Sequence, residues 1–208
     1  MSGYHPICAK CPFELKDRKC LNENGKNPGG CPTKKFEDKK EEFIERYFKD
    51  NLESFYKISS EVEGPPKTRI EETVYVAEKM GYKHIGLAFC IGLRKEGRII
   101  ADLFEKKGFK LSSVMCKCGN IKKKDIYKEI PEKAAGKNFC NPFLQAEALN
   151  YAHTEWNIVL GLCVGHDSIF MKYSNVMCTV LAAKDRVAAH NPLGPIYNID
   201  SYYKFLKK

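Results

Sequence analysis

The chain lacks much of what marks the common enzyme and membrane classes. No apolar run approaches the roughly 20 residues that a helix needs to cross a bilayer, and that excludes a membrane-spanning helix. The opening stretch MSGYHPICAKC has no apolar centre of a secretory signal. The expected compartment is therefore the cytoplasm, where thiols stay reduced. Glycines follow an apolar run in GLAFCIGLRKEG, but not at dinucleotide spacing, and no glycine-rich phosphate loop appears elsewhere. No convincing Ser-His-Asp arrangement appears, and a cysteine nucleophile with His166 as its base stands as one option.

What the chain has instead is sulfur: ten cysteines in 208 residues. In a reducing compartment such a number points to metal ligands or reactive groups, with a few core residues, rather than to disulfides. The remainder is ordinary for a globular protein with one sizeable core, 43% hydrophobic and 29% charged. The formal charge of +9 invites a nucleic-acid reading. Two points weigh against it. The lysines alternate with acids, as in KKFEDKKEEFIERYFKD, which is a solvated helix face. Each four-thiolate site on a divalent metal would also bring about −2, so two sites leave roughly +5.

Three regions are expected. Residues 1–35 are rich in cysteine, glycine and turn residues (NENGKNPGGCP) and too poor in apolar residues to build a core. Cys8 and Cys11 form a C-x2-C pair, and Cys20 and Cys31 follow. One shared metal would staple the segment and supply its folding energy. Zinc is the first expectation for a closed four-thiolate site. An iron–sulfur cluster is the rival, because proline follows Cys11 and Cys31 as it follows a ferredoxin ligand. Residues 36–66 read as an amphipathic helical linker packed on the core. Phe36, Phe43, Ile44, Tyr47, Phe48, Leu52 and Phe55 recur at helical spacing as expected core, and the region ends at Pro65 and Pro66.

From residue 67 helices and strands alternate. The helices are expected over 68–81, opened by a Thr68–Glu71 capping box, over 93–108, over 141–153 behind Asn141 and Pro142, and briefly around Phe170. The apolar strands are expected over 84–90, 109–116, 156–163 and 178–186. This pattern predicts an α/β fold over 67–208: three layers, a mainly parallel sheet with helices on both faces.

Ligands of open parallel sheets bind beyond the carboxyl ends of the strands. Cys90, Cys116 and Cys163 are expected at three such ends, the first and last in the related forms FCIGL and LCVGH. Cys140 precedes an Asn-Pro helix start in FCNPF, and His190 precedes another, with Asn191, in AHNPL. A thiol beside free helix N–H groups favours the thiolate. Cys90, Cys116, Cys140 and Cys163 are therefore expected to line a second site holding an iron–sulfur cluster or zinc. His166, Asp167 and Lys184 are the candidate catalytic groups. Lys117, Arg186, His190 and Asn191 are the candidate contacts to a small anionic or sulfur-containing substrate. Cys178 begins its strand and is expected in the core, and Cys118 is left open.

Together, CAKC, GYKHIGLAFCIGLRKEGRI, CNPFLQAEALN, GLCVGHDSIFMKYS and TVLAAKDRVAAHNPLGPIY resemble a family of uncharacterised, cysteine-rich, predicted metal-binding proteins of prokaryotes, frequent in anaerobes. The likeness covers nearly the whole chain. By position it takes in Cys8, Cys11, Cys31, Cys90, Cys116, Cys140, Cys163, His166, Asp167, Lys184, Asp185, Arg186, His190 and Asn191, and leaves out Cys118 and Cys178. The resemblance implies metal binding and supplies no reaction. A non-catalytic metal carrier or sensor, and a cysteine-nucleophile enzyme without a second metal, are the alternatives.

Overall fold

The computed structural model describes residues 3–49, 52–65, 67–129 and 131–208. The chain forms two compact units, Met1–Glu61 and Val62–Lys208. Pro66, half of the expected break, lies outside the described residues.

The first unit begins with single helical turns at Cys8–Lys10, Leu15–Asp17 and Pro32–Lys35. Two helices follow, α1 (Lys40–Lys49) and α2 (Glu53–Ser60). None of its described residues is buried. This corrects the expectation that the helical aromatics form core: Phe43, Ile44, Tyr47 and Phe48 are all exposed. Two helices offer each other one contact line and nothing more. Tyr47 and Tyr56 use it at 4.7 Å, while outside it Phe36 meets both Tyr4 and Phe43 edge to face.

The second unit is an α/β fold. Helix α3 (Arg69–Lys79) opens with the expected capping box, the Thr68 hydroxyl accepting from the Glu71 N–H and the Glu71 carboxylate accepting from the Thr68 N–H. Then come β1 (His84–Phe89), α4 (Arg94–Lys106), β2 (Lys110–Met115), α5 (Pro142–Tyr151), β3 (Trp156–Leu160), α6 (His166–Tyr173) and β4 (Cys178–Ala182). Asn141 caps α5 by accepting from the Leu144 N–H, and Pro142 is its first residue, as expected. The sheet is wholly parallel, in the order β2-β1-β3-β4.

Strand alternation sorts the core into two layers. Ala88 pairs with Val114 and Val159, and Val159 with Val180. These four share one face with Ala146 and Leu149 of α5 and Phe170 of α6. On the opposite face the Phe89 ring lies against Gly97 of α4. Arg69 of α3 donates to the Val180 carbonyl at 2.9 Å and to the Thr179 hydroxyl at 3.1 Å. Phe104 and Phe170 are fully buried.

Two strands stop earlier than their composition predicts. β3 ends at Leu160, three residues before Cys163, because Gly161 takes φ +61° and leaves the extended region. β4 ends at Ala182, so Lys184, Asp185 and Arg186 stand on the loop beyond it. The second Asn-Pro signal does not start a helix at Asn191. Ala189 and His190 both adopt positive φ, Asn191 closes a turn by accepting from the Leu193 N–H, and only a four-residue turn follows at Gly194–Tyr197.

Candidate functional site

The strand order places β1 and β3 side by side, with the chain leaving β1 toward one edge and β3 toward the other. The crevice between their following loops is the switch point at which such sheets bind ligands. Cys90 is the first residue after β1, and Cys116 the first after β2. Both thiols turn toward the face covered by α5, where they join the buried cluster. Cys140 arrives from the other end of the long β2–α5 excursion, whose base is closed by the Asn141 N–H donating to the Cys116 carbonyl at 2.8 Å. The Cys140 and Cys116 sulfurs are 3.9 Å apart. Three of the four thiols expected to share this site therefore meet.

The fourth is held differently. Cys163 lies on the β3–α6 loop, and the Arg186 guanidinium donates to its sulfur at 3.2 Å. Lys184 serves Cys90 in the same way. A Cβ on Gly92 would stand 3.1 Å from Lys184 Nζ and 3.8 Å from Cys90 Sγ, so the glycine is what lets the ammonium come over the thiol. Burial pushes the Cys90 thiol up. The Gly92 N–H, the Lys184 charge and hydrogen bond, and the Cys116 thiol outweigh it and hold Cys90 below the ordinary thiol value. Cys116 goes the other way. Burial first, and then the charges of Cys140 and Cys90, push it up to about 12 against the opposing Ile91 N–H, which donates to its sulfur at 3.3 Å. The site thus pairs a thiol that ionises readily with one that holds its proton.

The remaining candidates are occupied with structure. Lys117 donates to the Asn138 carbonyl at 2.6 Å. Asp167 Oδ1 accepts from the Gly165 N–H at 3.0 Å and the Ser168 N–H at 2.7 Å. His166 is the first residue of α6; its N–H donates to the Cys163 carbonyl at 2.9 Å, and its ring centroid lies 6.5 Å from that of Phe139. His190 Nδ1 accepts from the Asp185 N–H at 3.0 Å, which leaves Nε2 as the protonated ring nitrogen of the neutral imidazole. Asp185 accepts from the Ala188 and Val187 N–H groups, and these bonds hold its carboxyl below the usual range. Cys178 packs against the core as expected, and Cys118 stays apart from the cluster; burial raises both thiols.

Sequence reasoning missed Gln145. It is fully buried on α5, and its Nε2 donates to the Val114 carbonyl at 2.8 Å and the Phe89 carbonyl at 3.3 Å. It thereby ties together the ends of β2 and β1 from which Cys116 and Cys90 leave. Among the described residues its Oε1 has no partner. The signal was a single amide on the otherwise apolar inner face of FLQAEAL.

In the first unit Cys8, Cys11, Cys20 and Cys31 all line one cavity of about 90 Å³, with Arg18, Lys19 and Lys26 around them. The buried Tyr4 hydroxyl has no partner among the described residues. Its pKa is raised by burial and then by the charges of Cys8 and Cys31. Four thiols about one small cavity are the donor type that a four-thiolate metal takes. In neither unit do three or more His, Cys, Asp or Glu side chains, among the described residues, already stand in an arrangement that holds an ion. In the second unit Lys184 and Arg186 already supply the positive charge that a metal would bring to Cys90 and Cys163, and the four thiols do not close into one ligand set.

Fold and site together define an α/β protein with a wholly parallel sheet that gathers thiols and cations at its switch point. The chain belongs to the family described as a protein of unknown function (DUF1847), whose model matches residues 31–181. It is 42% identical over 172 residues to an uncharacterised protein of Methanocaldococcus jannaschii, covering 81% of this chain and 86% of that one. No solved structure matches. Among the described residues no helix is long and apolar enough to cross a membrane.

Proposed function

We propose that the chain is a metal-binding protein in which Cys8, Cys11, Cys20 and Cys31 hold a structural metal, zinc first and an iron–sulfur cluster second, while the α/β unit carries sulfur-related chemistry at its switch point. The observation that carries the reading is the contrast within the first unit. None of its described residues is buried, yet four cysteines spread over 24 positions line one cavity. A unit without a core needs another source of folding energy, and a structural metal supplies about 10–16 kcal/mol in small domains. In the α/β unit the substrate would be small and anionic or sulfur-containing, received between Lys184 and Arg186. Ten cysteines read as metal ligands and reactive thiols suit a reducing compartment, taken as the cytoplasm.

The test is anaerobic purification followed by counts of zinc, iron and sulfide. One zinc or one cluster per chain, lost on replacing Cys8 and Cys11 by serine, supports the reading. A colourless, metal-free protein whose first unit is still ordered overturns it.

A further inference from the structure

We infer that Cys140 and Cys116 form a dithiol–disulfide couple that exchanges with a substrate disulfide, Cys140 attacking and Cys116 resolving. The inference rests on the reading of the α/β unit as a thiol site, and not on a metal in the first unit.

Three observations carry it. First, the two sulfurs are 3.9 Å apart, and bonding at about 2.05 Å requires a closure of about 1.9 Å, within reach of side-chain rotation. Second, the backbone holds the pair in register, since the Asn141 N–H donates to the Cys116 carbonyl at 2.8 Å. Third, access differs. Cys140 is half-buried, whereas Cys116 is only 3% exposed, so a substrate meets Cys140 first and only the intramolecular partner reaches Cys116.

Oxidation of the couple balances with the substrate disulfide alone. The Cys140 thiolate attacks one sulfur of a disulfide R–S–S–R′; the S–S bond breaks, Cys140–S–S–R forms, and R′S⁻ leaves. Cys116 passes its proton to that leaving thiolate and attacks Cys140 Sγ. The Cys116–Cys140 disulfide forms and RS⁻ leaves, taking a proton from water. The substrate gains two electrons and the protein dithiol loses two. A second thiol pair, running the same steps in reverse, restores the dithiol.

The probe is glutathione disulfide. Reduced, anaerobic protein is incubated in glutathione buffers of graded ratio, alkylated, digested and mapped by mass spectrometry. A Cys116–Cys140 disulfide forming with release of two glutathiones per chain supports the assignment, as does a glutathione adduct trapped on Cys140 in the Cys116→Ser variant. The wild-type map needs no variant to fold, and Cys178→Ser serves as a control that leaves the couple intact. Oxidation that pairs Cys90 with Cys116, adducts that fall on Cys163 or Cys118, or a metal bound by Cys116 and Cys140 would overturn it. Loss of metal from the first unit, with exchange intact, strikes the proposed metal site alone.

Discussion

Replacing Gly161 by alanine tests how the switch point is built. Gly161 ends β3 at φ +61°, and a Cβ there would lie 2.2 Å from Leu93 Cδ1. Two costs follow. An alanine held in the left-handed region costs about 1–2 kcal/mol. Leu93 is buried, so moving it aside costs about 1–3 kcal/mol more in overpacking. The sum is roughly 2–5 kcal/mol, which for a unit of this size lowers the melting temperature by roughly 5–15 °C. Urea unfolding of the two proteins, compared at equal slope, gives the difference. Adding Leu93→Ala removes the clash and leaves the backbone cost, so the double variant should lie about 1–3 kcal/mol above the sum of the single effects. A Gly161→Ala protein within about 0.5 kcal/mol of wild type would refute the claim that this glycine shapes the loop carrying Cys163.

Other expected outcomes concern charge and pH. Lys184→Met removes the ammonium that helps hold Cys90 below the ordinary thiol value. The pH midpoint for alkylation of Cys90 by iodoacetamide should therefore rise, slowing the reaction at neutral pH about tenfold per unit of rise; an unchanged profile contradicts the pairing. His84 accepts a different test. Burial first, and then the Lys110 charge, lower its pKa, while its Nε2 stays 2.8 Å from the Ser112 hydroxyl. The folded state then binds fewer protons than the unfolded one below the unfolded value of about 6.5. Stability should be level above that pH and fall as pH drops below it, read as melting temperature between about pH 8 and 5. His84→Gln should flatten the curve, and a variant that keeps the full slope places its origin elsewhere.

The sheet was legible because short continuous apolar runs alternating with capped helices leave few other folds open. Thr68, Glu71, Asn141 and Pro142 announced their helix starts through local chemistry alone. The strand ends were less legible, because WNIVLGLC is apolar to its last residue and only the backbone angle of Gly161 shows where extension stops. The meeting of Cys90, Cys116 and Cys140 followed from strand order and was within reach. The capture of Cys163 by Arg186, and of the Phe89 and Val114 carbonyls by Gln145, depends on side-chain directions in three dimensions. So does the spending of Lys117 and Asp167 on nearby backbone. The exposed aromatics of α1 show the limit of periodicity, which marks an apolar face without saying whether anything covers it.

The most direct measurement is hydrogen exchange of the first unit, read peptide by peptide, before and after removal of metal from anaerobically purified protein. The account predicts protection across residues 8–31 that disappears with the metal and in the Cys8→Ser, Cys11→Ser variant, while β1 and β3 keep theirs. Protection of residues 8–31 that survives metal removal would contradict it.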